Sequence, residues 1–86
     1  MTTLTVLGRI NRHLADRYPG QPLPYDIAQM KRLVVVGVCY SALKSDINQL
    51  AAVTYETPEE VHSLIRRWRK VDKADREAWI GIARGH

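Results

Sequence analysis

Between Thr57 and Lys70 the chain reads TPEEVHSLIRRWRK, a stretch that carries the local signals of one complete amphipathic helix. Thr57 suits the N-cap, and Pro58 suits the first helical position, where a missing N–H is no loss. Glu60 stands three residues beyond the cap, the spacing of a capping box. Val61, Leu64, Ile65 and Trp68 then recur at i, i+3, i+4 and i+7, so four large apolar side chains share one face. That face is stable only against a core, and the rest of the chain has to supply it. His62, Arg66, Arg69 and Lys70 lie away from the stripe, Arg67 lies on its flank, and no acid interrupts the run from Val61 to Lys70. Acid at the start and base at the end is also what the helix dipole favours, so this layout has an explanation that involves no partner.

Eighty-six residues make one small domain with one core. Apolar residues form 45% of the sequence and charged residues 26%, which excludes a disordered chain and confines disorder to the ends. Thirteen Lys and Arg against nine Asp and Glu leave a net charge of +4, a bias toward polyanionic partners. The single cysteine, Cys39, lies in the most apolar run, where a lone thiol behaves as a small core residue, and it has no partner for an intrachain disulfide. The N-terminal stretch has no uninterrupted apolar segment of signal-peptide length, and Leu33 to Tyr40 is too short to cross a bilayer. The expectation is a cytoplasmic protein without membrane or cofactor requirements.

In the first segment Leu4, Leu7, Ile10 and Leu14 fall near one side of a helix from about Thr3 to Arg17, with Arg9, Arg12, His13 and Asp16 outside. Three prolines and a glycine in the run from Tyr18 to Pro24 then forbid any helix and mark the main loop. The segment that follows is ambiguous. Val34, Val35 and Val36 prefer a strand, whereas Asp26, Ile27, Met30, Val34, Val38 and Ala42 fit a capped helix. About twenty residues without a turn signal except Gly37 favour the helix over a strand lacking partners. A short helix from Asp46 to about Val53 follows, capped by Ser45 or Asp46, with Ile47, Leu50 and Ala51 inward. After a break at Thr54 to Glu56 comes the basic helix, and a last helix runs from a cap at Asp72 through Trp79, Ile80 and Ile82 to a stop at Gly85. The expected fold is all-α, a compact bundle of about five helices.

A short helix, a tight turn and a second helix with a basic outer face resemble the helix-turn-helix of DNA-binding proteins over residues 46–70. Val61 and Leu64 stand ten and thirteen positions after Ala51, as apolar residues do in that family, and small Ala51 lets the two helices approach. Tyr55 occupies the turn position that the family most often gives to glycine. The resemblance implies that Glu59, Glu60, His62 and Ser63 face base edges and that Arg66, Arg67, Arg69 and Lys70 hold phosphates, with duplex DNA as the ligand. Arginine suits both tasks because its planar fork matches phosphate oxygens and the O6/N7 edge of guanine. It further implies a homodimer, since one small module makes few base contacts. Two other stretches, His13 to Pro19 and Leu33 to Val38, are similar to parts of the FinO/ProQ RNA-binding domain, although the spacing after Gly37 is shorter than in that family.

Catalysis lacks a motif. His13, His62 and His86 stand at no metal-ligand spacing, and the chain has neither a phosphate-binding glycine loop nor a nucleophile motif. Trp68 and Trp79 are able to stack on bases, but their helical spacing favours a core or interface role. The sequence therefore points to a DNA-binding regulator of a bacterium, plasmid or phage. The alternative from another class is an adaptor or inhibitor that uses the valine-rich helix or the tryptophans to bind a partner protein, and RNA binding is a third.

Overall fold

All five expected helices are present in the computed structural model, which describes residues 1–85. They are α1 (Thr3–Arg17), α2 (Tyr25–Leu43), α3 (Ile47–Thr54), α4 (Pro58–Arg69) and α5 (Lys73–Ala83). His86 lies outside the described residues. The valine run belongs to α2, where Val34, Val35, Val36, Gly37, Val38 and Cys39 are all buried. Six consecutive buried residues cover every face of a helix, and the packing explains it, because α1, α3, α4 and α5 all lie against α2. A central helix has no solvent face to reveal a period of 3.6, which is why the segment reads equally well as a strand. Burial from all sides overrides the β-branched preference at these positions.

Gly37 supports that central position in a second way. A Cβ at Gly37 would lie 2.0 Å from Cδ2 of Trp68 and 2.4 Å from its Cγ and Cε3, far inside van der Waals contact. The missing side chain is therefore the notch that receives the indole. Ser41 stands one turn further along the same face of α2, and Trp68 Nε1 donates to its hydroxyl at 2.9 Å. Trp68 is thus fully buried with its one polar atom satisfied, and α4 is locked to α2 through a glycine and a serine.

Around this junction Val61, Leu64 and Ile65 of α4, Leu50 and Ala51 of α3, and Val6, Ile10 and Leu14 of α1 complete one continuous core. The radius of gyration, 12.1 Å, is close to the roughly 12 Å of a single packed unit of this length. The inward stripe of α1 differs from expectation. It runs through Thr3, Val6, Ile10 and Leu14, and Leu4 is 70% exposed. The helix is rotated so that the short Thr3 and Val6 meet the core while Leu7 lies on the flank, half-buried. α1 also holds the far end of the chain, because Arg9 Nη1 donates to the carbonyl of Ala83 at 3.0 Å. A cation at a helix C-terminus satisfies an orphan carbonyl and meets the negative end of the dipole. His13 packs edge-on against Trp79, with ring centroids 5.6 Å apart.

Two helix starts depart from the expected caps. α2 begins at Tyr25 behind Pro24, so Asp26 falls within the first turn and makes no cap bond. Asp72 flanks α5 without a side-chain cap bond as well. At the short helix the choice between Ser45 and Asp46 resolves to Asp46, whose Oδ2 accepts from the amides of Asn48 at 3.1 Å and Gln49 at 3.4 Å.

Candidate nucleic-acid interface

The helix-turn-helix-like pair is α3 and α4 joined by residues 55–57. α3 ends at Tyr55, which adopts left-handed backbone angles, φ 59 and ψ 31, the conformation that a glycine would supply there. The amides of Tyr55 and Glu56 both turn back to the carbonyl of Ala51, the latter at 3.0 Å, so the helix is closed by a Schellman-type end. Thr54 Oγ1 donates to the carbonyl of Leu50 at 2.6 Å and satisfies another orphan acceptor. The turn therefore has a glycine-type backbone with a tyrosine in it. Two residues later the chain is extended at Thr57, whose Oγ1 accepts the Glu60 amide at 3.2 Å and starts α4. Only this half of the capping box forms, and the Glu60 carboxylate makes no return bond among the described residues.

Val61, Leu64, Ile65 and Trp68 are buried as their spacing requires, and this sets what the other faces of α4 present. Glu59, His62, Arg66, Arg67, Arg69 and Lys70 are exposed, and Ser63 is half-buried. His62, Arg66 and Arg69, spaced by four and three residues, lie along the side next to α2 and α3. There they line an open cleft of about 410 Å³ together with Tyr40, Ile47 and Ile65. Arg69 is held in it, because Nη2 donates to the Tyr40 hydroxyl at 3.1 Å and the guanidinium carbon lies 5.6 Å from the centre of the Tyr40 ring. By its helical position Arg67 lies on the opposite flank, on the same side as Glu60.

Among the described residues none of these cations forms an ion pair. The one ion pair among the described residues joins Arg32 to Glu56, which stands just before the start of α4. Glu59 and Glu60 sit at the start of the helix, about 12 Å along the axis from the Arg66 to Lys70 turn at 1.5 Å per residue. That exceeds the screening length of about 8–10 Å in physiological salt, so the acidic tip takes little from the positive field at the other end. The last turn of α4 is consequently a cationic surface with an aromatic hydroxyl beside it and an aliphatic floor, suited to phosphate oxygens and to flat rings.

Tyr40 is the member that sequence reasoning missed. It is separated from Arg69 by 29 positions, and within α2 it reads as the last member of an apolar run. The valine surface proposed for a partner protein does not exist, since Val34, Val35, Val36 and Val38 are core residues. Trp68 is likewise inside, and Trp79 alone of the two tryptophans is partly exposed. Cys39 is buried, and burial pushes its thiol above the ordinary range, opposed in part by a hydrogen bond with Thr3. Among the described residues no three His, Cys, Asp or Glu side chains come together as metal ligands. No described helix is long and apolar enough to cross a membrane. The chain matches no known family model, curated protein or solved structure in the three comparisons made.

Proposed function

We propose that the protein binds duplex nucleic acid through α4 and acts as a DNA-binding regulator, by occupying a site and not by chemistry. The observation that carries this reading is the exposed group of Arg66, Arg67, Arg69 and Lys70, none of them in an ion pair among the described residues, on a helix anchored by Trp68 and preceded by a left-handed turn. Rigid cations on a helix are what a phosphate backbone rewards, because each contact releases condensed counterions. In this reading α4 lies against the major groove, and Glu59, His62 and Ser63 meet base edges near its start. Arg66 and Arg69 hold phosphates, with Tyr40 keeping Arg69 in place. Two copies on adjacent half-sites would supply the affinity that one small module lacks.

Replacing Arg66 and Arg69 together by alanine tests this directly. Both side chains are exposed, so the variant is expected to keep its helical signal and to lose only a few degrees of melting temperature with the Arg69–Tyr40 contact, while duplex affinity falls by at least about tenfold at moderate salt. Unchanged affinity in the folded double variant would overturn the proposal. Competition with structured RNA in the same assay separates the DNA reading from the RNA one, since a groove reader loses to RNA only at large excess.

A further inference from the structure

Three helices meet at the cleft of about 410 Å³ beside α4, which takes His62, Ile65, Arg66 and Arg69 from α4, Tyr40 from α2 and Ile47 from α3. That volume lies within the roughly 300–1,000 Å³ of small-molecule sites. No carboxylate lines it. The clefts that hold Lys31 with Arg32 and Lys73 with Arg76 each include a glutamate, so an incoming anion meets a like charge there and none here.

Tyr40 makes this cleft more than a row of cations. Its hydroxyl accepts from Arg69 Nη2 at 3.1 Å, and the centre of its ring lies 5.6 Å from the same guanidinium carbon. The oxygen acts as acceptor, and no hydrogen bond among the described residues uses the phenol proton. Two guanidinium groups, an imidazole and a phenol thus offer donors from two helices around one concave space.

Concavity and the number of donors choose the ligand. A backbone phosphodiester carries one charge on a convex strand, and exposed cations along a helix suffice for it. A phosphomonoester presents three oxygens and a charge of about −1.5 to −2 at pH 7, which suits converging donors. Ile47 and Ile65 add an aliphatic wall for something flat.

We propose that this cleft binds a terminal phosphomonoester carried on a flat ring system, the chemistry shared by a free nucleoside monophosphate and the phosphorylated end of a strand. Arg66 and Arg69 take its oxygens, the Tyr40 hydroxyl donates a further bond, and the ring packs on Ile47 and Ile65. The inference rests on the reading of α4 as a phosphate-binding surface.

Calorimetric titration tests it, with adenosine 5′-monophosphate against adenosine, and a short single strand with against without a 5′-phosphate. At least one phosphorylated probe is expected to bind about tenfold or more tightly than its unphosphorylated counterpart. Binding of the free nucleotide identifies a small-molecule source, and binding of the phosphorylated strand alone identifies a strand end. Tyr40→Phe keeps the ring beside Arg69 and removes only the hydroxyl, so it should weaken the phosphorylated probe about tenfold. Arg66→Ala with Arg69→Ala should abolish the preference, whereas Arg12→Ala with Arg17→Ala, two exposed cations of α1, removes the same charge and should leave it intact. The proposal is overturned if neither phosphate improves binding, if Tyr40→Phe changes nothing, or if the two double variants lose equally. Duplex binding without this preference removes the inference alone, and the preference without duplex binding removes the DNA reading alone.

Discussion

Gly37 and Tyr55 each occupy the kind of position that usually belongs to the other. Gly37 sits in the middle of a 19-residue helix, where glycine is among the least favourable residues, and Tyr55 sits in a left-handed helix end, where glycine is the most favourable. The reasons differ. At Gly37 the tertiary structure demands the absence of a side chain, because the Trp68 indole fills the space. At Tyr55 the backbone would accept glycine, and nothing inside the domain requires the ring. One departure from local preference serves packing, and the other leaves an aromatic ring in solvent.

The largest effect is expected at the first of these sites. Gly37→Ala drives a methyl group into the indole and should destabilise the domain by about 3 kcal/mol or more, measured by urea unfolding. That is a large fraction of the roughly 4–13 kcal/mol available to a domain of this size. If the indole is the cause, the penalty shrinks in a Trp68→Leu background, where the ring no longer fills the notch. Cys39, buried two residues further along α2, gives an independent readout. Its thiol should resist a soluble thiol reagent in the wild type and react measurably faster in Gly37→Ala. Its raised pKa works in the same direction. Stability from the buried neutral thiol is present below the unfolded pKa and is lost as pH rises through the folded one, so the domain should weaken on the alkaline side.

A smaller effect of opposite sign is expected at the second site. Tyr55→Gly should stabilise the monomer by about 0.5–1 kcal/mol, the left-handed penalty less the extra freedom of glycine in the unfolded chain, and raise Tm by a few degrees. Lys44 ends α2 in the same conformation, with φ 54, and Lys44→Gly is the matched control. Equal gains at both positions identify backbone strain as the common cause. A loss at Tyr55 alone would show that the ring stabilises the single domain, and would remove the contrast with Gly37.

How far each element could be read from sequence follows from where its determinants lie. α4 was legible because its cap, its stripe and its charges are all local, and Val61, Leu64, Ile65 and Trp68 are buried as spaced. α2 was ambiguous because four neighbouring helices set its pattern, and no window of sequence contains them. In α1 two adjacent stripes, one through Leu4 and one through Val6, differ by a small rotation, and the contact with α2 and α5 selects the second. The turn was misleading in another sense, since Tyr55 breaks the residue preference while keeping the glycine-type backbone. Tyr40 could not have been found, because its place beside Arg69 is a product of the α2 to α4 packing that Gly37 permits.

That packing links the fold to the proposed function. The Trp68 notch sets the rotation of α4 about its axis, and the rotation decides that Arg66, Arg69 and Lys70 face outward together. The most direct measurement is the salt dependence of duplex binding by the wild-type chain. With about four cations engaging phosphates, the log of the association constant should fall against the log of salt with a slope of about −3 to −4, at roughly 0.9 per contact. Replacing Arg66 and Arg69 by alanine should bring the slope closer to zero by about two units. Absence of duplex binding at low salt, or a slope that the double variant leaves unchanged, would contradict the assignment of α4 as the binding surface.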